Sequence, residues 1–219
     1  MIVIATPIDG AELDSADVKY GYLRARLSMP DRDQVPVVAY ADDIVRARNR
    51  VAATVLREYG EATHVLWWDS DTWPEDVGCV ARMVYTGADV VGAPYCTKAE
   101  PCRWVHAPLE PAPPACDGLQ EVRAVGFGFT LTSLNCLRRM SAPARKYADW
   151  PRGHRVANIF GQTYERVAFS DDPSDEVLSS EDFSFCARWR AAGERVYIYT
   201  GAGNVWHAGT KANCLRRPM

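Results

Sequence analysis

Apolar runs of strand length alternate with amphipathic helical segments over the first hundred residues. Short apolar runs occupy 2–5, 35–39, 64–68 and 89–93, and runs of this length are typical of buried strands. Between them, apolar residues recur at helical spacing over 44–59 and over 74–86, with stops at Gly60 and Gly87. Strand–helix–strand units of this size predict parallel strands with helices packed on the faces.

The second half of the chain is less regular but keeps the same alternation. A strand is predicted at 122–125, followed by the turn Gly126-Phe127-Gly128, and a helix at 133–140. Ser180 begins a helix that ends before Gly193, and strands are expected at 195–199 and 204–207. Residues 141–160 carry no periodic pattern. The sequence therefore predicts one Rossmann-like α/β/α domain over 1–219, with a mixed, mainly parallel sheet.

Length and composition narrow the class of protein without naming it. The chain has 219 residues, of which 47% are hydrophobic and 24% charged, which suits one globular domain. A net charge of −3 argues against an overall electrostatic footprint for nucleic acid. No apolar run approaches the length of a membrane span, and the start lacks a basic segment, so a cytoplasmic protein is expected.

Seven cysteines make an odd number and include no Cys-x-x-Cys pair. Reduced and mostly buried thiols are the simpler interpretation. A zinc site is the alternative, although the spacing fits no common zinc motif. Its ligands would be Cys96, Cys102, His106 and Cys116.

The apolar run at 64–68 ends in Asp69-Ser70-Asp71-Thr72, followed by Trp73-Pro74. Two carboxylates at the carboxyl end of a strand could hold Mg²⁺ or Mn²⁺ against a phosphate. Alternatively, Asp71 or Thr72 is the N-cap of a helix that begins near Pro74, and Asp69 is merely solvated. The residues by themselves leave both interpretations open.

Three other polar groups carry candidate chemistry. His207 follows an apolar strand and would matter as a ligand only together with distant partners. Glu181 and Asp182 lie at a helix start, where acids stabilise the helix or where one of them could act as a general base. The helix after Asp42-Asp43 carries Arg46, Arg48, Asn49 and Arg50, which form a solvated face or meet a nucleotide diphosphate.

Seven short elements in order resemble nucleotide-sugar-dependent glycosyltransferases of the GT-A fold, closest to compact bacterial and phage-type enzymes. They span residues 4–209, and each is weak singly. The elements are Ile4-Ala5-Thr6-Pro7, Arg46-Ala47-Arg48-Asn49, Thr63-His64 with Asp69-Ser70-Asp71, Gly92-Ala93-Pro94-Tyr95-Cys96-Thr97-Lys98, Gly126-Phe127-Gly128-Phe129, Ser180-Glu181-Asp182-Phe183-Ser184-Phe185-Cys186 and His207-Ala208-Gly209.

The resemblance implies a role for each matched residue. Asp71 and His207 would ligate Mn²⁺ or Mg²⁺, and Asp69 would contact the metal through water or bind the donor ribose. Asp182, with Glu181 beside it, would be the base if the enzyme inverts, the outcome favoured here. Acceptor contacts would come from Gly128 and Trp206. The residues expected to bind the nucleotide sugar, preferably a UDP-sugar, are Thr6, Pro7, Arg46, Arg48, Asn49, Asp69, Ser70, Lys98 and Lys211.

The resemblance also divides the chain by role. Residues 1–98 would bind the donor and 119–219 a carbohydrate or other hydroxyl acceptor, with a nucleic-acid acceptor as the minority class. The proline-rich segment 99–118 matches no element, and Phe127 is bulkier than the small residue expected between the two glycines. We therefore expect a reshaped donor or acceptor pocket near Phe127. Oligomeric state is not predicted.

Two other function classes compete with this interpretation. Asp69-Ser70-Asp71-Thr72 also satisfies the signature of haloacid-dehalogenase-like phosphatases, in which the first aspartate is the nucleophile, although that motif normally follows the first strand. Asp171-Asp172-Pro173-Ser174-Asp175 is an imperfect substitute for the second metal element of that family. A non-catalytic nucleic-acid-binding module is the other class. It would use Arg138, Arg139, Arg145, Lys146, Trp150, Arg152 and Arg155.

Overall fold

The computed structural model describes residues 1–9, 34–98, 101, 103–149, 153–166 and 176–207. Four α-helices lie in these ranges: α1 (Ile44–Glu58), α2 (Cys79–Tyr85), α3 (Leu134–Ser141) and α4 (Glu181–Ala191). The strands are β1 (Ile2–Asp9), β2 (Gln34–Ala41), β3 (His64–Trp68), β4 (Thr72–Pro74), β5 (Val90–Gly92), β6 (His106–Pro108), β7 (Leu119–Val125), β8 (Phe129–Ser133), β9 (Lys146–Asp149), β10 (His154–Ala157), β11 (Tyr164–Arg166), β12 (Glu176–Leu178), β13 (Val196–Tyr199) and β14 (Val205–His207).

The central sheet has eight strands in the order β2-β1-β3-β8-β5-β13-β7-β6. Three neighbouring pairs are parallel (β1 with β2, β1 with β3, β5 with β13). The other four pairs are antiparallel, because β8 and β7 each run against both of their neighbours. The expectation of a mixed sheet is confirmed, but the expectation of a mainly parallel one is wrong. Strand-to-helix alternation could not reveal where β8 and β7 insert.

Both faces of the sheet are buried, which explains why β3 is apolar at nearly every position. Val65 and Trp67 point to the face covered by α1, α3 and α4, and Leu66 and Trp68 point to the face covered by α2. Strand side chains alternate between faces, so a strand buried on both sides loses its polar positions. The result is the predicted three-layer α/β/α arrangement.

The helix α1 forms where the pattern places it. Asp43 accepts a hydrogen bond from the backbone nitrogen of Arg46 at 2.8 Å and so caps the first turn. Ala47, Val51 and Val55 are buried against the sheet. Helix α4 likewise begins after Ser180 and ends before Gly193, whose φ of +85° suits glycine.

Several local expectations are wrong. The strand β1 continues to Asp9 beside β2 instead of turning at Thr6-Pro7. Residues 72–74 form β4, which pairs with β14, and the next helix has Gly78 at its N-cap, so neither Asp71 nor Thr72 caps it. Residues 146–157, expected to be irregular, contain the antiparallel pair β9–β10. These pairings join segments distant in sequence or lie in hairpins without a clear alternating pattern.

None of the helices in the described ranges is both long enough and apolar enough to cross a membrane.

Candidate functional site

The turn after β3 is held in place by backbone hydrogen bonds. The backbone nitrogen of Asp69 donates to the carbonyl of Gly128 at 2.9 Å, and that of Thr72 donates to the carbonyl of Asp69 at 3.2 Å. The hydroxyl of Thr72 also donates to the Gly128 carbonyl, at 2.7 Å. The two aspartates are therefore displayed on a fixed turn at the carboxyl end of β3.

The turn before β8, which contains Gly126 and Gly128, packs against Tyr95 and so helps to hold the Asp-x-Asp turn in place. The Tyr95 hydroxyl, which is buried, accepts a hydrogen bond from the backbone nitrogen of Gly128 at 2.9 Å. A Cβ on Gly128 would lie 2.6 Å from that hydroxyl oxygen, and one on Gly126 would lie 2.4 Å from it. The close approach explains both glycines. Contact of Gly128 with an acceptor stays a prediction.

Phe127, between these glycines, is fully buried. Its ring packs against the rings of Trp67, Phe160 and Phe185 at centroid distances of 5.9, 5.3 and 5.0 Å. The expectation that its bulk reshapes a donor or acceptor pocket is wrong, because the side chain points into the core.

Asp71 and His207 come together although 135 residues separate them. The Nε2 atom of His207 lies 3.3 Å from Oδ2 of Asp71, and Lys98 donates to the same oxygen. The pairing of β14 with β4, which places His207 opposite Thr72, brings them together. Burial alone would raise the pKa of Asp71, but hydrogen bonds from His207 and Lys98 outweigh it and hold that pKa well below its usual range.

The other nitrogen of the His207 ring fixes which atom faces Asp71. Nδ1 lies 3.0 Å from the carbonyl oxygen of Cys96. A carbonyl only accepts hydrogen bonds, so Nδ1 carries the hydrogen. Nε2, the other ring nitrogen, then faces the Asp71 carboxylate oxygen. It can donate a hydrogen to that oxygen, which is the contact that helps lower the pKa of Asp71, or it can share a bound cation with the carboxylate.

Asp69 faces a different partner, the buried guanidinium of Arg48. Nη2 of Arg48 lies 3.1 Å from Oδ2 of Asp69, and Nε lies 3.2 Å from Oε1 of Glu181. The Arg48 side chain is only 3% exposed. One arginine on α1 thus joins the end of β3 to the start of α4.

The second oxygen of Asp69, Oδ1, is buried and has no hydrogen-bond partner among the described residues. Burial raises the pKa of Asp69 to about 6; Arg48 opposes the shift, whereas the charges of Asp71, Glu181 and Asp182 add to it. The acids of the turn and of the α4 start therefore share one electrostatic environment.

The start of α4 supports both interpretations of its acids. Oδ1 of Asp182 accepts from the backbone nitrogen of Phe183 at 2.8 Å and from the Ser180 hydroxyl. Asp182 thus stabilises the helix start, as a capping acid would. Glu181 is paired with Arg48. A catalytic role for either acid stays a prediction.

Arg46 and Asn49 are turned away from this site. Arg46 and Arg50 both pair with Asp149 on β9, through contacts of 2.9 and 2.5 Å. The Asn49 side chain donates to Asn158 at 2.9 Å and accepts from the backbone nitrogen of Phe160 at 3.0 Å. The structure engages both residues within the protein, which argues against their expected role in nucleotide binding. Helical geometry separates them from Arg48 by roughly 100–200° about the axis.

The remaining predicted contacts lie at the same edge of the sheet or outside the described residues. Thr6 and Pro7 are buried within β1, and Ser70 is 8% exposed in the turn. Trp206 lies next to His207, directly across from Trp73. Lys211 lies outside the described residues. For Thr6, Pro7, Ser70 and Trp206, ligand contact stays a prediction.

No three His, Cys, Asp or Glu side chains among the described residues are grouped so that they could hold a metal ion. The expected trio of Asp69, Asp71 and His207 is therefore only partly assembled, since Asp69 turns to Arg48. Of the alternative zinc ligands, Cys96 is buried, Cys116 is exposed and Cys102 lies outside the described residues.

Sequence reasoning missed three contributors to the site. Tyr95 packs under the turn, the carbonyl of Cys96 orients His207, and Asp149 draws Arg46 and Arg50 away. Tyr95 and Cys96 lie within the element that ends at Lys98, which is the signal that could have identified them. Nothing in the local sequence marks Asp149.

No protein-family model matches the chain, and no curated protein matches it. Among solved structures, the chain is similar to the one described as "Crystal Structure of A197 from STIV", with a TM-score of 0.49 and 16% sequence identity. The alignment covers 90% of this chain and 80% of that chain. Similarity at this level carries no argument about the site.

Proposed function

We propose that the protein is a metal-dependent glycosyltransferase of the GT-A class that transfers a sugar from a nucleotide-diphosphate sugar, preferably a UDP-sugar, to a hydroxyl acceptor. The observation that carries the proposal is the approach of His207 Nε2 to Asp71 Oδ2 at 3.3 Å, with Nδ1 held by the Cys96 carbonyl. This contact joins the Asp-x-Asp turn to the late histidine, two elements of the family resemblance.

The donor atoms suit a divalent cation. A carboxylate oxygen with an imidazole nitrogen favours Mn²⁺ or a related ion over Ca²⁺. Histidine ligands commonly donate their other ring N–H to a backbone carbonyl, as His207 does to Cys96. Asp69 offers a further buried oxygen, Oδ1, without a protein partner among the described residues. Asp71 and His207 would hold the ion, with Asp69 beside them.

A metal bound there would neutralise the charge that develops on the donor diphosphate as the sugar leaves. The protein's own groups act around it. The ammonium of Lys98 is half exposed and lies on Asp71, from which it can reach a phosphate oxygen. Arg48 holds Asp69 and Glu181 in fixed positions from α1. Arg48 is therefore a positioning residue in this proposal, not the nucleotide ligand that the resemblance implies.

Asp182 is the base that we assign to an inverting reaction. Glu181 is engaged by Arg48, whereas Asp182 is bound only by local groups at the helix start in the described ranges. A carboxylate in this position can take the proton of an attacking hydroxyl.

The test is thermal stabilisation of the protein by UDP, GDP and their sugar conjugates, each with and without Mn²⁺. We expect a stabilisation by one nucleotide that requires Mn²⁺ and disappears in Asp71→Asn. Asp76→Asn is the matched control, because Asp76 is an exposed aspartate paired with Arg82. The proposal would be overturned if none of the nucleotides raised the melting temperature in a way that requires Mn²⁺.

The phosphatase alternative is less favoured by the geometry. A nucleophilic aspartate needs a free oxygen that substrate can reach, but Oδ2 of Asp69 is paired with Arg48 and Oδ1 is buried. Phosphate release from an aryl phosphate, lost in Asp69→Asn, would restore that alternative.

A further inference from the structure

Two cavities adjoin on the face of the sheet that carries α1, α3 and α4. One has a volume of about 730 Å³ and lies between the C-terminal ends of α3 and α4. The other has a volume of about 510 Å³ and lies between α1 and the β9–β10 pair. Ile159 lines both, and the chain at 141–146 runs along both. We call the two together the basic groove.

Among the described residues, the charged side chains that line the basic groove are all cations. No described aspartate or glutamate lines either cavity, although the whole chain carries a net charge of −3. The six cations are Arg57, Arg139, Arg145, Lys146, Arg155 and Arg188.

Protein groups neutralise only part of this charge. Arg57 and Arg139 pair with Glu58 and Glu194 at the rim. Within the described ranges, Arg145, Lys146 and Arg155 are exposed and make no ion pair with a carboxylate. Arg188 donates to the carbonyls of Gly161 and Ile159, which fixes its guanidinium but supplies no negative charge. The groove therefore attracts an anion.

The floor of the groove is apolar. Among its lining residues, Ala142 and Pro143 are exposed and Leu56 is partly exposed, so a ligand can contact them. Met140 and Ile159 are almost completely buried beneath them. Cations at the rim of an apolar floor suit a ligand with phosphates along one side and flat apolar faces along the other.

The groove is separate from the candidate active site. Helix α4 carries Glu181 at one end and Arg188 at the other, and α1 carries Arg48 and then Leu56. At 1.5 Å per residue, seven to eight residues place the two regions about 10–12 Å apart along each helix. A ligand in the groove would lie away from Asp71 and His207.

We propose that the basic groove binds single-stranded nucleic acid, with phosphates at the arginines and bases against the apolar floor. Arginine is the side chain best suited to phosphate oxygens, because its planar fork donates two parallel hydrogen bonds. Sequence-tolerant binders of single strands combine a cationic groove with a surface on which bases pack. A sulfated polysaccharide would satisfy the cations but leaves the apolar floor unused.

The experiment measures binding of a fluorescent oligo(dT) of about 15 nucleotides by anisotropy over a series of salt concentrations. In the variant with Arg145→Glu and Arg155→Glu, we expect at least a ten-fold weaker affinity. The slope of log affinity against log salt should fall by about 1.4, since each phosphate contact on a single strand contributes about 0.7. The neutral variant, with Arg145→Gln and Arg155→Gln, repeats the test if charge reversal prevents folding.

The matched control reverses Arg103 and Arg123, exposed arginines outside the groove, and should leave the affinity within about two-fold of the wild type. Equal losses in both double variants would show unspecific attraction and overturn the proposal. Heparin serves as a competitor with the same concentration of negative charge but no bases. If heparin displaces the bound oligo(dT) at that concentration, the bases contribute nothing to binding. That result would point to a polysaccharide ligand and would also overturn the proposal. The readout is binding alone, so its outcome is independent of glycosyltransferase activity.

Discussion

The two ends of helices α1 and α4 differ in how their charge is balanced. At the site end, the acids are paired with cations at hydrogen-bonding distance. Asp69 and Glu181 pair with Arg48, and Asp71 pairs with Lys98. At the groove end six cations line two cavities, and no acid is among the described lining residues. The first arrangement is preorganised by internal pairs, whereas the second leaves charge for a partner outside the protein.

The difference teaches which positions can be changed without loss of the fold. Removing one member of a buried pair leaves the other uncompensated and is costly. Removing an exposed cation costs little stability, because exposed ion pairs contribute little. Substitutions at the site end should therefore affect stability or activity strongly, and substitutions at the groove end should affect binding alone.

The largest effect is expected for Asp71→Asn. It removes the carboxylate that joins His207 and Lys98, so Mn²⁺-dependent sugar transfer should fall about 10³-fold, or about 4 kcal/mol in transition-state free energy. Steady-state kinetics with the donor found by thermal shift measures it, and Asp76→Asn is the control. Retention of a tenth or more of the wild-type rate would contradict the metal assignment.

Arg48→Met tests the buried pair. Loss of the guanidinium leaves Asp69 and Glu181 without their shared partner, and we expect the free energy of unfolding to fall by about 3–5 kcal/mol. Urea unfolding followed by circular dichroism measures it. Arg46→Met, on the same helix but 27% exposed, is the control and should cost clearly less. An equal or smaller loss for Arg48→Met would show that Arg48 is not the central tie.

Asp182→Asn separates the two acids of α4. Because Asp182 is the proposed base, its replacement by asparagine should lower turnover by about 10²-fold and leave the affinity for the donor unchanged. Glu181→Gln should instead reduce stability, because Glu181 is a partner of Arg48. Kinetics with donor binding measured separately distinguishes the two. Full turnover in Asp182→Asn would exclude it as the base.

Much of the fold could be predicted because local patterns determine it. The β3 strand has the predicted bounds, and the start and apolar spacing of α1 match the structure. A strand is predicted at 204–207, but its pairing with residues 72–74 could not be predicted, because 72–74 fit the start of a helix and only the tertiary fold joins the two segments. The antiparallel β8 escapes prediction for the same reason, since only long-range pairing places it between β3 and β5.

The site was predictable to a different extent. Helical geometry places Arg46 and Arg48 on different sides of α1, but only the fold shows that Arg48 faces Asp69 and that Arg46 faces Asp149. The partnership of Asp71 with His207 was expected from family resemblance alone. Its cause, the pairing of β4 with β14, is tertiary.

A smaller effect is expected for Gly128→Ala, which tests the support of the Asp-x-Asp turn. The new Cβ would lie 2.6 Å from the Tyr95 hydroxyl oxygen, so the free energy of unfolding should fall by about 2 kcal/mol. Adding Tyr95→Phe should recover part of this loss, and a double-mutant cycle measures the recovery. Gly60→Ala, where the nearest atom is 3.9 Å away, should be close to neutral. Additive effects of Gly128→Ala and Tyr95→Phe would contradict the proposed contact.

The smallest effect concerns Asp149, which links β9 to α1 through Arg46 and Arg50. Burial would raise its pKa, but hydrogen bonds from Arg50 and Arg46 outweigh burial and lower it. A carboxylate with a lowered pKa in the folded protein stabilises the fold at any pH above the ordinary pKa of an aspartate, which is near 4. This stabilisation is lost as the pH falls from there through the lowered pKa of the folded state. Wild-type protein should therefore lose more unfolding free energy between about pH 6 and pH 3 than Asp149→Asn does, as urea unfolding at each pH will show. Asp42→Asn, which removes an exposed partner of Arg46, should retain the wild-type pH dependence. Parallel pH curves for wild type and Asp149→Asn would show that the pair with Arg46 and Arg50 does not stabilise the fold.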